Sequence, residues 1–119
     1  HVMEVRINAE DPNAGFAPSP GTIRTWAPPA EVAGQLRIDT HVSAGYTVPP
    51  FYDSLIAKVI ASGADRNTCI ANMVAALKSF VVEGVATTIP MHLQILQSPD
   101  FVSGRYDTRT IPGFATEAA

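Results

Sequence analysis

The chain has 119 residues, 46% of them hydrophobic and 16% charged, which suggests one globular domain with a core of its own. Its net charge is −3 and no block of basic residues is present, which argues against a nucleic-acid partner. No apolar run approaches the roughly 18 residues of a membrane span, and no signal-peptide pattern occurs. The chain starts directly in strand-like sequence, so we expect it to be a piece of a longer protein.

The first half of the chain predicts antiparallel strands separated by loops rich in proline and glycine. Residues 2–9 alternate between apolar and polar side chains, which is typical of a half-buried strand that ends in an acidic turn. Residues 22–27 and 36–42 predict further strands. Residues 55–63 are apolar on both faces apart from Lys58, which indicates a central strand.

The second half changes to a helical period. Asp65 is a good N-cap, and apolar residues at helical spacing predict a helix from about residue 66 to 81. Thr88 can cap a second helix, which has Pro90 in its first turn, and an irregular tail follows Pro99. Strands followed by helices predict an α+β fold, in which a small antiparallel sheet has two helices packed on one face.

Arg6 is the most informative single residue, because it lies between an acid and an amide on the polar side of the first strand. A guanidinium keeps its charge and offers rigid paired donors to oxyanions. Oriented by Glu4 or Asp53, it can stabilise an anion that forms during a reaction. The alternative is an arginine in a weak surface ion pair.

Several other features each admit a functional and a structural interpretation. The loop 46–54 is stiff and aromatic, and either positions binding groups or plugs the sheet edge. The segment 105–108 is either a tail that closes onto another domain or a plain turn. Lys58 either faces a second domain or extends its ammonium to solvent. Cys69, the only cysteine, is either a reactive thiol or a small buried helix residue, and its solitary occurrence favours a reducing compartment.

No complete catalytic set can be assembled from the residues themselves. Glycine loops that bind phosphate are absent from the sequence. His1, His41 and His92 lack the spacing of a metal site, so we expect no metal to be held by this chain.

The motifs "HVMEVRINAEDP", "PSPG", "GYTVPPFYDS", "AKVIASGADR" and "GVATTIP" occur in this order over nearly the whole chain. Together they resemble the C-terminal domain of biotin carboxylase, which acetyl-CoA, propionyl-CoA and pyruvate carboxylases share. The resemblance implies that residues 1–119 form one such domain, with its rudimentary single-hybrid motif. It also implies a cytoplasmic location in bacteria or the matrix of an organelle.

The resemblance implies a ligase that uses ATP, Mg²⁺ and bicarbonate to carboxylate biotin on a carrier protein. The ATP-grasp domain that holds the nucleotide is absent from this chain, which is therefore expected to bind no cofactor and to be inactive alone. Arg6 corresponds to the family's catalytic, biotin-facing arginine, whose charge is thought to stabilise the enolate-like ureido oxygen. Tyr52 and Asp53 correspond to a biotin-binding pair, and Arg37 to an arginine at a subunit interface.

Two hypotheses follow from the sequence. In the first, the chain is the biotin-side wall of a carboxylase active site, with an ATP-grasp domain of the same polypeptide and a biotin carboxyl carrier protein as partners. In the second, it is a non-catalytic module that docks a carrier or joins subunits, with a homodimer as one form.

Overall fold

A computed structural model describes residues 1–50 and 53–107 of the chain. The strands are β1 (Val2–Asn8), β2 (Glu10–Asp11), β3 (Ala17–Pro18), β4 (Gly21–Thr22), β5 (Thr25–Ala27), β6 (Leu36–Asp39), β7 (Thr47–Val48), β8 (Leu55–Ser62) and β9 (Val81–Glu83). The helices are α1 (Arg66–Lys78), α2 (Ile89–Leu96) and α3 (Pro99–Ser103), and Pro12–Ala14 forms a single 3-10 turn. Small antiparallel sheets combined with helices confirm the predicted α+β class.

The largest sheet is three-stranded and antiparallel, in the order β1-β8-β6. Its central strand is β8, as the apolar composition of residues 55–63 predicts. The apolar side chains of β1 and β8, among them Val5, Ile7 and Val59, are buried on one face. Helix α1 packs against this face through Met73 and Leu77, which are also buried. The polar side chains of β1 therefore lie on the opposite face, as the alternation predicts.

Helix α1 begins as predicted and ends earlier. Asp65 is its N-cap and accepts a hydrogen bond from the Thr68 backbone N–H at 2.7 Å. Hydrogen bonds from Thr68 lower the pKa of the Asp65 carboxyl. The helix stops at Lys78 rather than residue 81, because Val81–Glu83 pairs with Thr25–Ala27 as a strand. The apolar period continues past the helix end because Phe80 packs edge-on against Trp26.

The single strand predicted over residues 22–27 is divided in two. Its first part, Gly21–Thr22, pairs with Thr47–Val48, and its last part, Thr25–Ala27, pairs with β9. Between them, buried Ile23 donates its N–H to the Tyr46 carbonyl and accepts from the Gly45 N–H. Residues 21–27 therefore bend, because their first part pairs with β7 and their last part with β9.

The tail after residue 99 is more regular than predicted, since residues 100–103 belong to α3. The side chain of Ser98 accepts a hydrogen bond from the Phe101 N–H and caps this helix. Within the described part of the chain, no helix is long and apolar enough to cross a membrane.

We expect Gly84→Ala to destabilise the fold far more than Gly15→Ala. Both glycines have positive φ angles, of 111° and 64°. A methyl group at Gly84 would collide with the Thr22 carbonyl and the Arg24 backbone, whereas one at Gly15 would meet open space. Backbone strain alone costs about 1 kcal/mol, and overpacking adds about 2 kcal/mol. Urea unfolding of this chain measures both losses, and equal losses would contradict the close approach of Gly84 to β4.

Candidate functional site

Arg6 projects from the polar face of β1, the edge strand of the main sheet. Its side chain is 66% exposed, and its Nε lies 3.6 Å from the Glu4 Oε1 atom. An exposed ion pair of this length contributes little to stability. The guanidinium is therefore accessible to a ligand that approaches this face of the sheet.

Arg6 belongs to a set of charged side chains that share this face, which we name the charged face: Glu4, Arg6, Arg37, Asp39 and Lys58. Arg6 and Lys58 are direct partners across β1 and β8. Like charges at directly opposed positions are unfavourable. In the residues the structure describes, no carboxylate lies within 4.0 Å of half-buried Lys58. On its other side Lys58 is the cross-strand partner of Asp39, which partly offsets this repulsion. An anionic or hydrogen-bond-accepting partner from outside the chain would offset it further.

Asp53 lies two residues before β8 and is exposed. Its Oδ1 atom accepts a hydrogen bond from the Leu55 N–H at 3.0 Å, which closes a local turn. Among the residues described, the carboxylate that the structure places beside Arg6 is Glu4, not Asp53. Tyr52, the neighbour of Asp53, lies outside the described residues. The biotin-binding role of this pair stays a prediction.

Arg37 lies at the other side of the charged face, on β6. Its Nε and Nη2 atoms donate to both oxygens of Asp39 at 3.1 and 3.0 Å. Next to it lies an open cavity of about 480 Å³, whose lining includes Val2 and Val32. These two valines are 73% and 46% exposed. A fixed charge beside exposed apolar side chains is a suitable surface for protein contact.

The backbone of Arg6 is held by α2, a contact that sequence reasoning missed. The Nε2 atom of His92 lies 2.7 Å from the Arg6 carbonyl oxygen, and Thr88 Oγ1 accepts from the Asn8 N–H at 3.0 Å. Thr88 stands at the N-cap position of α2, as predicted, but its side chain makes no capping hydrogen bond. The spacing of Thr88 and His92, four residues apart, places both on one helix face and was the available signal.

Burial lowers the pKa of His92, and its hydrogen bond to the Arg6 carbonyl raises that pKa in part. A lowered pKa favours the neutral imidazole near neutral pH. Because a carbonyl only accepts hydrogen bonds, Nε2 must carry the proton of that ring. The imidazole is thereby fixed in one tautomer as a donor to β1.

The remaining candidates have local structural explanations. Cys69 is buried in α1, and its Sγ atom lies 3.5 Å from the Ala61 carbonyl oxygen, in agreement with the structural interpretation. Tyr106 stacks on Phe101 with ring centroids 4.8 Å apart. Across residues 1–50 and 53–107, no three His, Cys, Asp or Glu side chains cluster as metal ligands would.

Comparison with known proteins gives a family match over most of the chain. The model of the family described as the biotin carboxylase C-terminal domain matches residues 4–113. Biotin carboxylase 1 of Bacillus subtilis is 49% identical over 107 residues, which is 90% of this chain and 23% of that protein. The chloroplastic biotin carboxylase of Arabidopsis thaliana is 43% identical over 119 residues, which is 100% of this chain and 22% of that protein.

Solved structures agree with these matches. The biotin carboxylase domain of Hydrogenobacter thermophilus 2-oxoglutarate carboxylase, a dimer in complex with MgADP, ADP and bicarbonate, superposes with a TM-score of 0.87 at 41% identity. It covers 92% of this chain and 24% of that one. Biotin carboxylase from Campylobacter jejuni, solved in a complex with a form of ATP, gives a TM-score of 0.86 at 40% identity over the same shares. The chain spans about a quarter of the length of these relatives and belongs to the biotin carboxylase C-terminal domain family of biotin-dependent carboxylases.

Proposed function

We propose that the chain forms the biotin-side wall of a biotin carboxylase active site and that Arg6 is its catalytic residue. The observation that carries the proposal is the accessible guanidinium of Arg6, displayed on an open face of the sheet in a chain of this family. A residue with a purely structural role would be expected to contact its own domain more closely. Within the described residues, Arg6 has Glu4 as its ion-pair partner. The two groups are 3.6 Å apart, so a stronger acceptor can replace Glu4.

The chemistry of the proposed role follows from the guanidinium. Biotin supplies the ureido nitrogen that receives the carboxyl group, and its ureido oxygen is an acceptor that gains negative charge as that nitrogen loses a proton. Arg6 donates hydrogen bonds to this oxygen and stabilises the charge in place of water. Glu4 is a weak neighbour that the ureido oxygen can displace. Tyr52 and Asp53 complete the biotin side of the site.

The nucleotide and the metal belong, on this proposal, to another part of the enzyme. The Hydrogenobacter domain that was solved with MgADP and bicarbonate is matched by this chain over only 24% of its length. We therefore assign the nucleotide, Mg²⁺ and bicarbonate to an ATP-grasp domain of the same polypeptide, within the three quarters of the relatives' length that this chain does not cover. On this proposal, residues 1–119 are one domain that is inactive alone and acts on biotin attached to a carrier protein.

The second candidate function is a subunit interface, which the surface around Arg37 favours. The cavity beside Arg37 is lined by exposed apolar side chains, and the related Hydrogenobacter domain is a dimer. The two functions use opposite edge strands of one sheet and are compatible in one protein. Relatives from bacteria and a chloroplast support a cytoplasmic or organellar location for the whole enzyme.

We expect Arg6→Ser to reduce biotin-dependent ATP hydrolysis about 100-fold or more in a full-length carboxylase that carries this chain, or after the ATP-grasp domain is added in trans. Loss of one preorganised electrostatic donor costs this much in kcat. The matched control is Arg24→Ser, which removes the same charge from an exposed position away from the site. Activity of Arg6→Ser within threefold of the parent enzyme would contradict the catalytic role.

We expect Arg37→Glu to weaken dimerisation of the full-length enzyme at least about tenfold, because the new carboxylate would lie beside Asp39 and oppose the partner's complementary charge. Sedimentation equilibrium measures the change, and Arg24→Glu is the control for the same change in net charge. An unchanged dimer constant would show that subunits do not meet at this surface.

A further inference from the structure

We propose that Thr88 and His92 are positioning residues for Arg6, holding the backbone of β1 from behind while the guanidinium faces the ligand. The inference deepens the proposed function and rests on it, because the pair has a role in catalysis only if Arg6 does. We name the pair the α2 clamp.

The first observation is an irregularity in the pairing of β1 with β8, next to Arg6. Arg6 pairs with Lys58 and Ile7 with Ala57, but Asn8 pairs with Leu55, so Ile56 has no partner on β1. Such bulges disrupt the ladder locally and increase the twist of the strand, and they redirect side chains beside active sites. The extra residue lies on β8, and pairing resumes at Asn8 with the register shifted by one residue, so the ladder is locally weakened one residue after Arg6.

The second observation is that α2 provides hydrogen bonds at this same point. His92 Nε2 lies 2.7 Å from the Arg6 carbonyl oxygen. The Thr88 hydroxyl accepts from the Asn8 N–H at 3.0 Å, and the Thr88 N–H donates to the Asn8 carbonyl at 3.1 Å. The outward-facing polar groups of an edge strand are otherwise left to solvent. Here they are bonded to a helix through a threonine that is 2% exposed.

The third observation is space into which β1 can move. A cavity of about 210 Å³ lies between β1 and helices α2 and α3, and both Arg6 and His92 line it. Without the clamp, the strand has this volume in which to shift. A displacement of about 1 Å in catalytic geometry can cost 100-fold in rate. The hydrogen bond from His92 to the Arg6 carbonyl therefore lies where its loss would displace Arg6 and slow the reaction.

The clamp is separable from the packing of α2. Ile89 and Leu96 are buried in the core, and Leu93 packs against the core from the same helix. His92 is half-buried, and its side chain bonds the Arg6 carbonyl of β1. Substitution of Leu93 therefore weakens helix packing without removing a hydrogen bond to Arg6 or Asn8.

The test uses a full-length carboxylase that carries this chain, with free biotin as the probe. His92→Leu and Thr88→Val remove the clamp, whereas His92→Gln and Thr88→Ser keep a donor or hydroxyl in place. We expect the disruptive variants to lower kcat for biotin-dependent ATP hydrolysis about 10-fold or more and the conservative ones to stay within about threefold. Bicarbonate-dependent ATP hydrolysis without biotin should not change, because it does not use Arg6.

Leu93→Ala is the stability control. It should lower urea stability at least as much as His92→Leu and leave kcat near that of the parent enzyme. If Leu93→Ala lowers kcat equally, or if hydrolysis with and without biotin falls together, the clamp is only structural and the proposal is overturned. Should Thr88→Val fail to fold, His92→Leu decides the question alone.

A double-substitution cycle separates this inference from the proposed function. If the clamp acts through Arg6, His92→Leu has no further effect in an Arg6→Ser background, since coupled residues are not additive. A damaging Arg6→Ser combined with a harmless His92→Leu overturns the clamp alone. A harmless Arg6→Ser overturns the proposed function and the clamp with it.

Discussion

The alternation of side chains along β1 is the constraint on which the rest of the account depends. Val5 and Ile7 must be buried against α1, so Arg6 between them must point to the opposite face. The strand is also an edge, and its outer backbone groups must find donors and acceptors. Helix α2 supplies them through His92 and Thr88. Strand β1 thus has one buried face, one exposed face and an edge that is hydrogen-bonded to α2. The side chain of Arg6 lies on the exposed face, and its carbonyl is bonded at the edge.

The charged face divides into two parts with different electrostatic character. Arg37 forms a bidentate pair with Asp39, which fixes the position of its guanidinium and neutralises most of its charge. Arg6 and Lys58 are direct partners on the neighbouring strands β1 and β8. Of these two side chains, Arg6 is the one with a carboxylate within 4.0 Å among the described residues. A surface of the first kind suits contact between proteins, and one of the second kind suits recognition of an acceptor or anion. This difference supports the proposal that biotin binds at the β1 edge of the sheet and subunits meet at the β6 edge.

Sequence patterns predicted those helices and strands that are determined by residues within one short segment. The period of two in β1, the apolar run of β8 and the Asp65 cap each depend on residues within one segment. The end of α1 was not predictable in this way, because β9 forms only through pairing with Thr25–Ala27 more than 50 residues earlier. Thr88 occupies the predicted N-cap position, but its hydroxyl bonds the backbone of β1 instead of the helix, which depends on tertiary structure. The position of Arg6 followed from the sequence, whereas its support by His92 depends on tertiary structure.

The most direct test of the central claim is a structure of the full-length carboxylase with biotin bound. The decisive quantity is the distance from the Arg6 Nη atoms to the ureido oxygen of biotin. The account predicts a hydrogen bond of about 2.7–3.2 Å, with the guanidinium extended from the charged face and the Arg6 carbonyl still bonded to His92. Biotin bound elsewhere, or Arg6 still paired with Glu4 and turned away from it, would contradict the account.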